Sequence, residues 1–127
     1  MKSPWKQRVP FDADGEYVVL ASLIPPRSRT STWQLFRGSR AVTAQLASTP
    51  GVVGFALLAR PVRKQYATLS VWQDEAALRT FASSAPHRDL MAALGPAMAP
   101  TTFVRWMRRG SDGRPSWREA MSRLETS

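Results

Sequence analysis

The chain has 127 residues, 18 Lys and Arg against 9 Asp and Glu, 43% apolar residues, no cysteine and a single histidine. That length suits one domain with a real core. The lack of cysteine excludes a disulfide framework, a Cys-ligated zinc site, an iron–sulfur cluster and a thiol nucleophile. No apolar run approaches the ~20 residues of a membrane span, and the first residues lack the apolar core of a secretory signal, so the expectation is a cytoplasmic protein.

Residues 1–15 hold two prolines, mixed charge and Asp12-Ala-Asp-Gly15, and read as an arm ending in a turn. Glu16 to Ile24 is a β-rich run stopped by Pro25-Pro26; both alternating sets of positions are apolar, which predicts a strand covered on both faces. Ser28 to Thr32 reads as a polar loop with several N-cap hydroxyls. Trp33 to Ser48 is helical in pattern, with Leu35, Val42 and Leu46 in one stripe, and Thr49-Pro50-Gly51 ends it. Val52 to Arg60 and Tyr66 to Trp72 are two further strands, joined closely enough to form an antiparallel hairpin.

Gln73-Asp74-Glu75 then opens a second helix, its acids suited to the positive N-terminal end, with Leu78, Phe81, Ala82 and Ala85 pointing inward. Ser84 is a candidate cap for a continuation to about Leu94. On it His87, Leu90, Met91 and Leu94 share one face at i, i+3, i+4 and i+7. Thr101 to Met107 is a fourth strand, Arg108 to Pro115 a turn-rich linker, and Trp117 to Leu124 a short helix capped by Ser116. The order β-α-β-β-α-β is that of an α+β, ferredoxin-like domain over residues 16–107, flanked by the 1–15 arm and a basic linker and helix at 108–127.

In such a fold the helices cover one sheet face. Here the alternate sets are both apolar: Val18 and Leu20 against Val19 and Leu23, Phe55 and Leu57 against Ala56 and Leu58, Leu69 and Val71 against Trp72. A bare second face of that kind would be an exposed patch of many hundred Å², so the expectation is an obligate homodimer joined sheet to sheet.

The positive balance invites a nucleic-acid partner. The arginines are scattered, however, and the one dense group, from Arg105 to Arg123, is equally a solvated basic surface, so nucleic acid is not the expected partner. No Gly-x-Gly-x-x-Gly, P-loop or nucleophile elbow is present. One His and nine scattered acids assemble no three-carboxylate or 2-His-carboxylate metal site.

Three stretches resemble a known family: Thr49 to Phe55, a helix stop followed at once by a strand; Leu69 to Trp72 with Asp74 to Phe81; and Ala85 to Met91, containing Pro-His-Arg-Asp-Leu-Met. Together they are similar to the dimeric α/β-barrel superfamily of antibiotic-biosynthesis-type monooxygenases, and within it to a branch related to spheroidene monooxygenase. The resemblance implies a homodimer with a pocket between helices and sheet in each protomer. It also implies a hydrophobic small-molecule ligand, with haem held by a helix histidine in some members and oxidation of aromatic polyketides without metal or cofactor in others. Carried to this chain, it makes His87 the candidate catalytic residue and haem ligand.

Two readings of His87 stand. An interior imidazole near a helix N-terminus is held neutral, as haem ligation or general-base work requires. A helix-start His bonded to a backbone carbonyl or packed at a dimer seam looks the same in sequence. Arg88 is a candidate partner for a propionate or substrate carboxylate. Phe55, Trp72, Phe81 and Met91 are candidate pocket walls, or simply core. Tyr17 and Tyr66 are candidate hydrogen-bond donors to a phenol or ketone, or ordinary strand residues. A non-catalytic ligand- or partner-binding module on the same fold is the rival reading.

Overall fold

The computed structural model describes residues 3–25, 28–60, 65–84 and 101–126, with side chains except at 29, 31–36, 38 and 39. Its strands are β1 (Lys6–Gln7), β2 (Glu16–Ile24), β3 (Val52–Arg60), β4 (Gln65–Trp72) and β5 (Thr102–Arg109). Its helices are α1 (Arg29–Ser48), α2 (Glu75–Ala82) and α3 (Trp117–Glu125). The strands form one sheet in the order β1-β3-β4-β2-β5 with every neighbouring pair antiparallel. Without β1 this is the α+β ferredoxin-like order. Among the described residues no helix is long and apolar enough to cross a membrane.

Three boundaries differ from the sequence reading. The first helix starts at Arg29 rather than Trp33, because Ser28 to Thr32 lacks apolar periodicity yet a helix's first turn needs none. The last strand runs on to Arg109, since Arg108 and Arg109 still pair with Tyr17 and Glu16. The N-terminal arm contributes a strand: Lys6 and Gln7 pair with Phe55 and Gly54, and the Ser3 amide donates to the Leu57 carbonyl at 2.9 Å. Trp5 lies over Gly54, where any Cβ would come within 2.5 Å of its ring.

Local chemistry explains the joints. Asp74 caps α2 by accepting from the Ala77 amide at 2.8 Å, and Ser116 caps α3 by accepting from Glu119 at 3.1 Å. Gly51, in the turn after α1, has φ +91°, and a Cβ there would stand 2.4 Å from that of Ala77, so the turn and α2 can meet only at glycine. Asp12 to Gly15 is the expected turn, closed by Gly15 N donating to Asp12 O at 2.9 Å.

The sheet is apolar on both faces, as its alternation requires. On one, Val18, Val52, Phe55 and Trp72 pack against Leu46 of α1 and Leu78 and Phe81 of α2. On the other, Tyr17, Val19, Ala21, Val53, Leu69 and Val71 pack against Ala120 and Leu124 of α3, with Trp5, Phe11, Trp106 and Trp117 at the margin. The face expected to await a second protomer therefore carries the chain's own C-terminal helix and N-terminal arm. This removes the bare patch on which the dimer expectation rested. A bulge in β3, where Val53 stands as the extra residue between Val52↔Trp72 and Gly54↔Val71, lets Val52 and Phe55 both face the helices.

Candidate functional site

Pairing register decides which side chains share the helix-side face. Val18, Leu20, Ser22 and Ile24 of β2 stand opposite Trp72, Ser70, Thr68 and Tyr66 of β4, with Phe55 and Leu57 of β3 opposite Ser70 and Thr68. On the far side of β2, Phe103 of β5 stands opposite Ser22. Above this floor Val42 and Leu46 of α1 and Leu78, Phe81 and Ala82 of α2 form the walls. The cavity, partly open to solvent, is about 240 Å³, a little below the ~300–1,000 Å³ common for ligand sites.

The lining is neutral. Among the described residues no charged side chain faces the cavity, and its polar groups are the hydroxyls of Ser22, Thr68, Ser70, Tyr66 and Thr101. Ser22 and Ser70 are 3% and 7% exposed. Ser22 Oγ and Thr68 Oγ1 are hydrogen-bonded to each other across the strands, and Trp72 Nε1 donates to Ser70 Oγ at 2.8 Å. Trp72 itself is tilted against Phe81 with ring centroids 5.3 Å apart. On the same face of β5, Arg105 meets Glu75 at the head of α2 at 3.4 Å; both are half exposed, so the pair contributes little.

Of the residues singled out in the sequence, the structure brings Phe55, Trp72, Phe81 and Tyr66 together around this cavity. Tyr17 is elsewhere. It belongs to the opposite phase of β2, packs edge-on against Phe11 at 5.2 Å, and its hydroxyl accepts from the Asp12 amide at 2.8 Å. With both phases of β2 apolar, nothing in the strand pattern tells which phase meets the helices. His87, Arg88 and Met91 lie outside the described residues.

Sequence reasoning passed over Ser22, Thr68 and Ser70. Their signal was small hydroxyl residues recurring in one phase of strands that are otherwise apolar.

Haem, which the resemblance admits, would be held by His87 and Arg88, which lie outside the described residues; the described lining itself contributes hydroxyls and apolar side chains.

No family model matches the sequence, and no curated protein is significantly similar to it. Solved structures do share its fold. A "putative monooxygenase" from Fusobacterium nucleatum aligns with TM-score 0.67 and 11% identity over 83% of this chain. The match spans 50% of that protein, so this chain corresponds to half its length. A "putative antibiotic biosynthesis monooxygenase" from Nitrosomonas europaea aligns with TM-score 0.62 and 15% identity, covering 77% of this chain and 93% of that one. Another so named, from Caulobacter crescentus, aligns with TM-score 0.58 and 20% identity over 76% and 91%. Identities this low show the common fold, that of the antibiotic-biosynthesis-monooxygenase-like proteins, and nothing of the chemistry.

Proposed function

We propose that this chain is a monooxygenase-type small-molecule-binding protein that takes a neutral, hydrophobic molecule into the cavity between α1, α2 and the sheet. The observation that carries this reading is the lining: aliphatic and aromatic walls, a few hydroxyls on the floor, and no charged side chain among the described residues. Such a site gains from apolar area removed from water, about 25 cal/mol per Å², and it penalises a carboxylate or ammonium that would enter unpaired. Trp72, Phe81 and Phe55 offer flat surfaces to a planar or polyene-like ligand. The finer likeness, to the branch related to spheroidene monooxygenase, rests on the Leu69–Trp72, Asp74–Phe81 and Ala85–Met91 stretches and favours the polyene form.

For oxygenation the cavity's own residues contribute binding, orientation and exclusion of water. The described lining holds no carboxylate, imidazole or amine to move a proton, its ionisable side chain being Tyr66. That favours the second reading, a module that holds its ligand without turnover, unless His87 supplies the base. Self-association belongs to either reading. With the second sheet face covered, the large apolar side chains still exposed among the described residues are Val9, Phe103 and Met107. A monomer at micromolar concentration in sedimentation removes the homodimer.

The test is a titration with fluorene followed by tryptophan fluorescence, repeated with Val42→Phe, which adds a ring at the α1 wall. Saturable binding that weakens at least tenfold in the variant supports the cavity as the site. Binding that is absent, or indifferent to the variant, rejects it. An oxygen electrode and product mass separate the two readings: oxygen uptake with one atom gained by the ligand marks an oxygenase, and a stable complex without uptake marks the binding module.

A further inference from the structure

We infer that Ser22, Thr68 and Ser70 form a hydrogen-bond-donating anchor on the cavity floor, which selects a neutral apolar molecule bearing a carbonyl-type acceptor oxygen. This inference rests on the ligand reading above and names the ligand's polar group.

The argument is a count of protons. Each hydroxyl carries one proton and accepts through two lone pairs. Within the Ser22–Thr68 pair one hydroxyl donates to the other, so one proton of the two is spent and one remains. Ser70 accepts from Trp72 Nε1 at 2.8 Å, which leaves its own proton unspent. None of the three has a further protein partner among the described residues. The floor therefore offers two donor protons, one from the pair and one from Ser70.

Their placement is set by register. Ser22 stands opposite Thr68 and Leu20 opposite Ser70, so all three hydroxyls are on the cavity face, Thr68 and Ser70 about 7 Å apart along β4. The surroundings are Leu20, Leu57, Phe55 and Phe103, which neither accept nor donate through their side chains. Buried donors cost free energy unless an acceptor meets them. A carbonyl oxygen, with two lone pairs and no proton, meets both the donor chemistry and the neutral wall. A ligand hydroxyl also accepts one of these protons, its own proton then going to a free lone pair of the floor, whereas a carboxylate would arrive with a charge that no described side chain of the lining balances.

The experiment compares ligands of one shape: 9-fluorenone, fluorene and fluorene-9-carboxylate, titrated into the full chain. We expect fluorenone to bind about three- to tenfold more tightly than fluorene, the span of one good hydrogen bond, and the carboxylate most weakly. In the double variant Ser22→Ala, Thr68→Val the preference for fluorenone over fluorene falls by at least half, and a circular dichroism spectrum like that of the unaltered chain reports an intact fold. Infrared spectra of fluorenone bound to the unaltered chain supply a check that needs no variant: its carbonyl stretch moves to lower frequency than in hexane. Equal binding of fluorenone and fluorene, an unmoved carbonyl stretch, or a preference unchanged in the double variant overturns the anchor while leaving the cavity as a ligand site. Failure of fluorene itself to bind removes the cavity reading and the anchor with it.

Discussion

The guanidinium of Arg108 meets the Glu119 carboxylate at 3.2 Å, while its Nε and Nη2 donate to the carbonyls of Gly113 and Asp112, each at 2.7 Å. One side chain at the end of β5 thus ties the turn that follows it to the first turns of α3, and so holds the helix over the second face of the sheet. Glu119 is shared with Arg123 at 3.5 Å, and Arg123 in turn lies 4.5 Å over the Trp106 ring.

Arg108→Ala is expected to lower stability by about 1–3 kcal/mol, the range for losing hydrogen bonds made by a charged group. The Arg108 side chain is only 18% exposed, so solvent screens it partly. Glu119→Gln, which keeps the carbonyl acceptor, costs less, about 0–1 kcal/mol. Urea denaturation checks both; equal midpoints for Arg108→Ala and the unaltered protein would sink this account of the helix's attachment.

Ending the chain at Gly113 uncovers Tyr17, Val19, Leu69 and Val71, which α3 and its neighbours now bury. An apolar face of that size seeks a partner. The truncated protein should bind more of a hydrophobic dye and sediment as a larger species than the full chain. A truncated form that matches the full chain in both contradicts the covering role given to α3.

Ser70→Ala leaves the buried Trp72 Nε1 without its acceptor, at an expected cost of about 1–3 kcal/mol. In a Trp72→Phe background the donor is gone, so adding Ser70→Ala should cost much less. Thermal or urea unfolding of the four proteins gives the coupling; additive losses would mean that the indole hydrogen bond does not matter.

Gly51→Ala combines a φ of +91° with a Cβ 2.4 Å from that of Ala77. A loss of about 1–3 kcal/mol is expected. Ala77→Gly should recover the steric part and leave the backbone part. No recovery in the double variant assigns the whole effect to backbone conformation.

A haemin titration read in the visible spectrum checks His87 as a haem ligand: that reading expects a saturable one-to-one Soret shift that His87→Ala abolishes. No shift, or one indifferent to the variant, retires haem.

The strands at Glu16–Ile24 and Val52–Arg60 were legible as apolar β-rich runs with clear stops, and Asp74 and Ser116 announced their helices. These are local signals, written in propensity, capping and turn chemistry. Their order alone yields the ferredoxin-like arrangement.

What the tertiary structure decided is everything that depends on phase and on distant pairing. A two-residue strand at Lys6–Gln7 has no pattern of its own and exists because β3 offers an edge. With both phases of each strand apolar, period alone could not assign Tyr17 to the α3 side or Ser22, Thr68 and Ser70 to the cavity. The Val53 bulge moves the phase within β3. That the second face is closed by the chain's own helix follows from Arg108, Trp106 and Leu124 meeting across elements, a relation among residues far apart in the chain that no local pattern encodes.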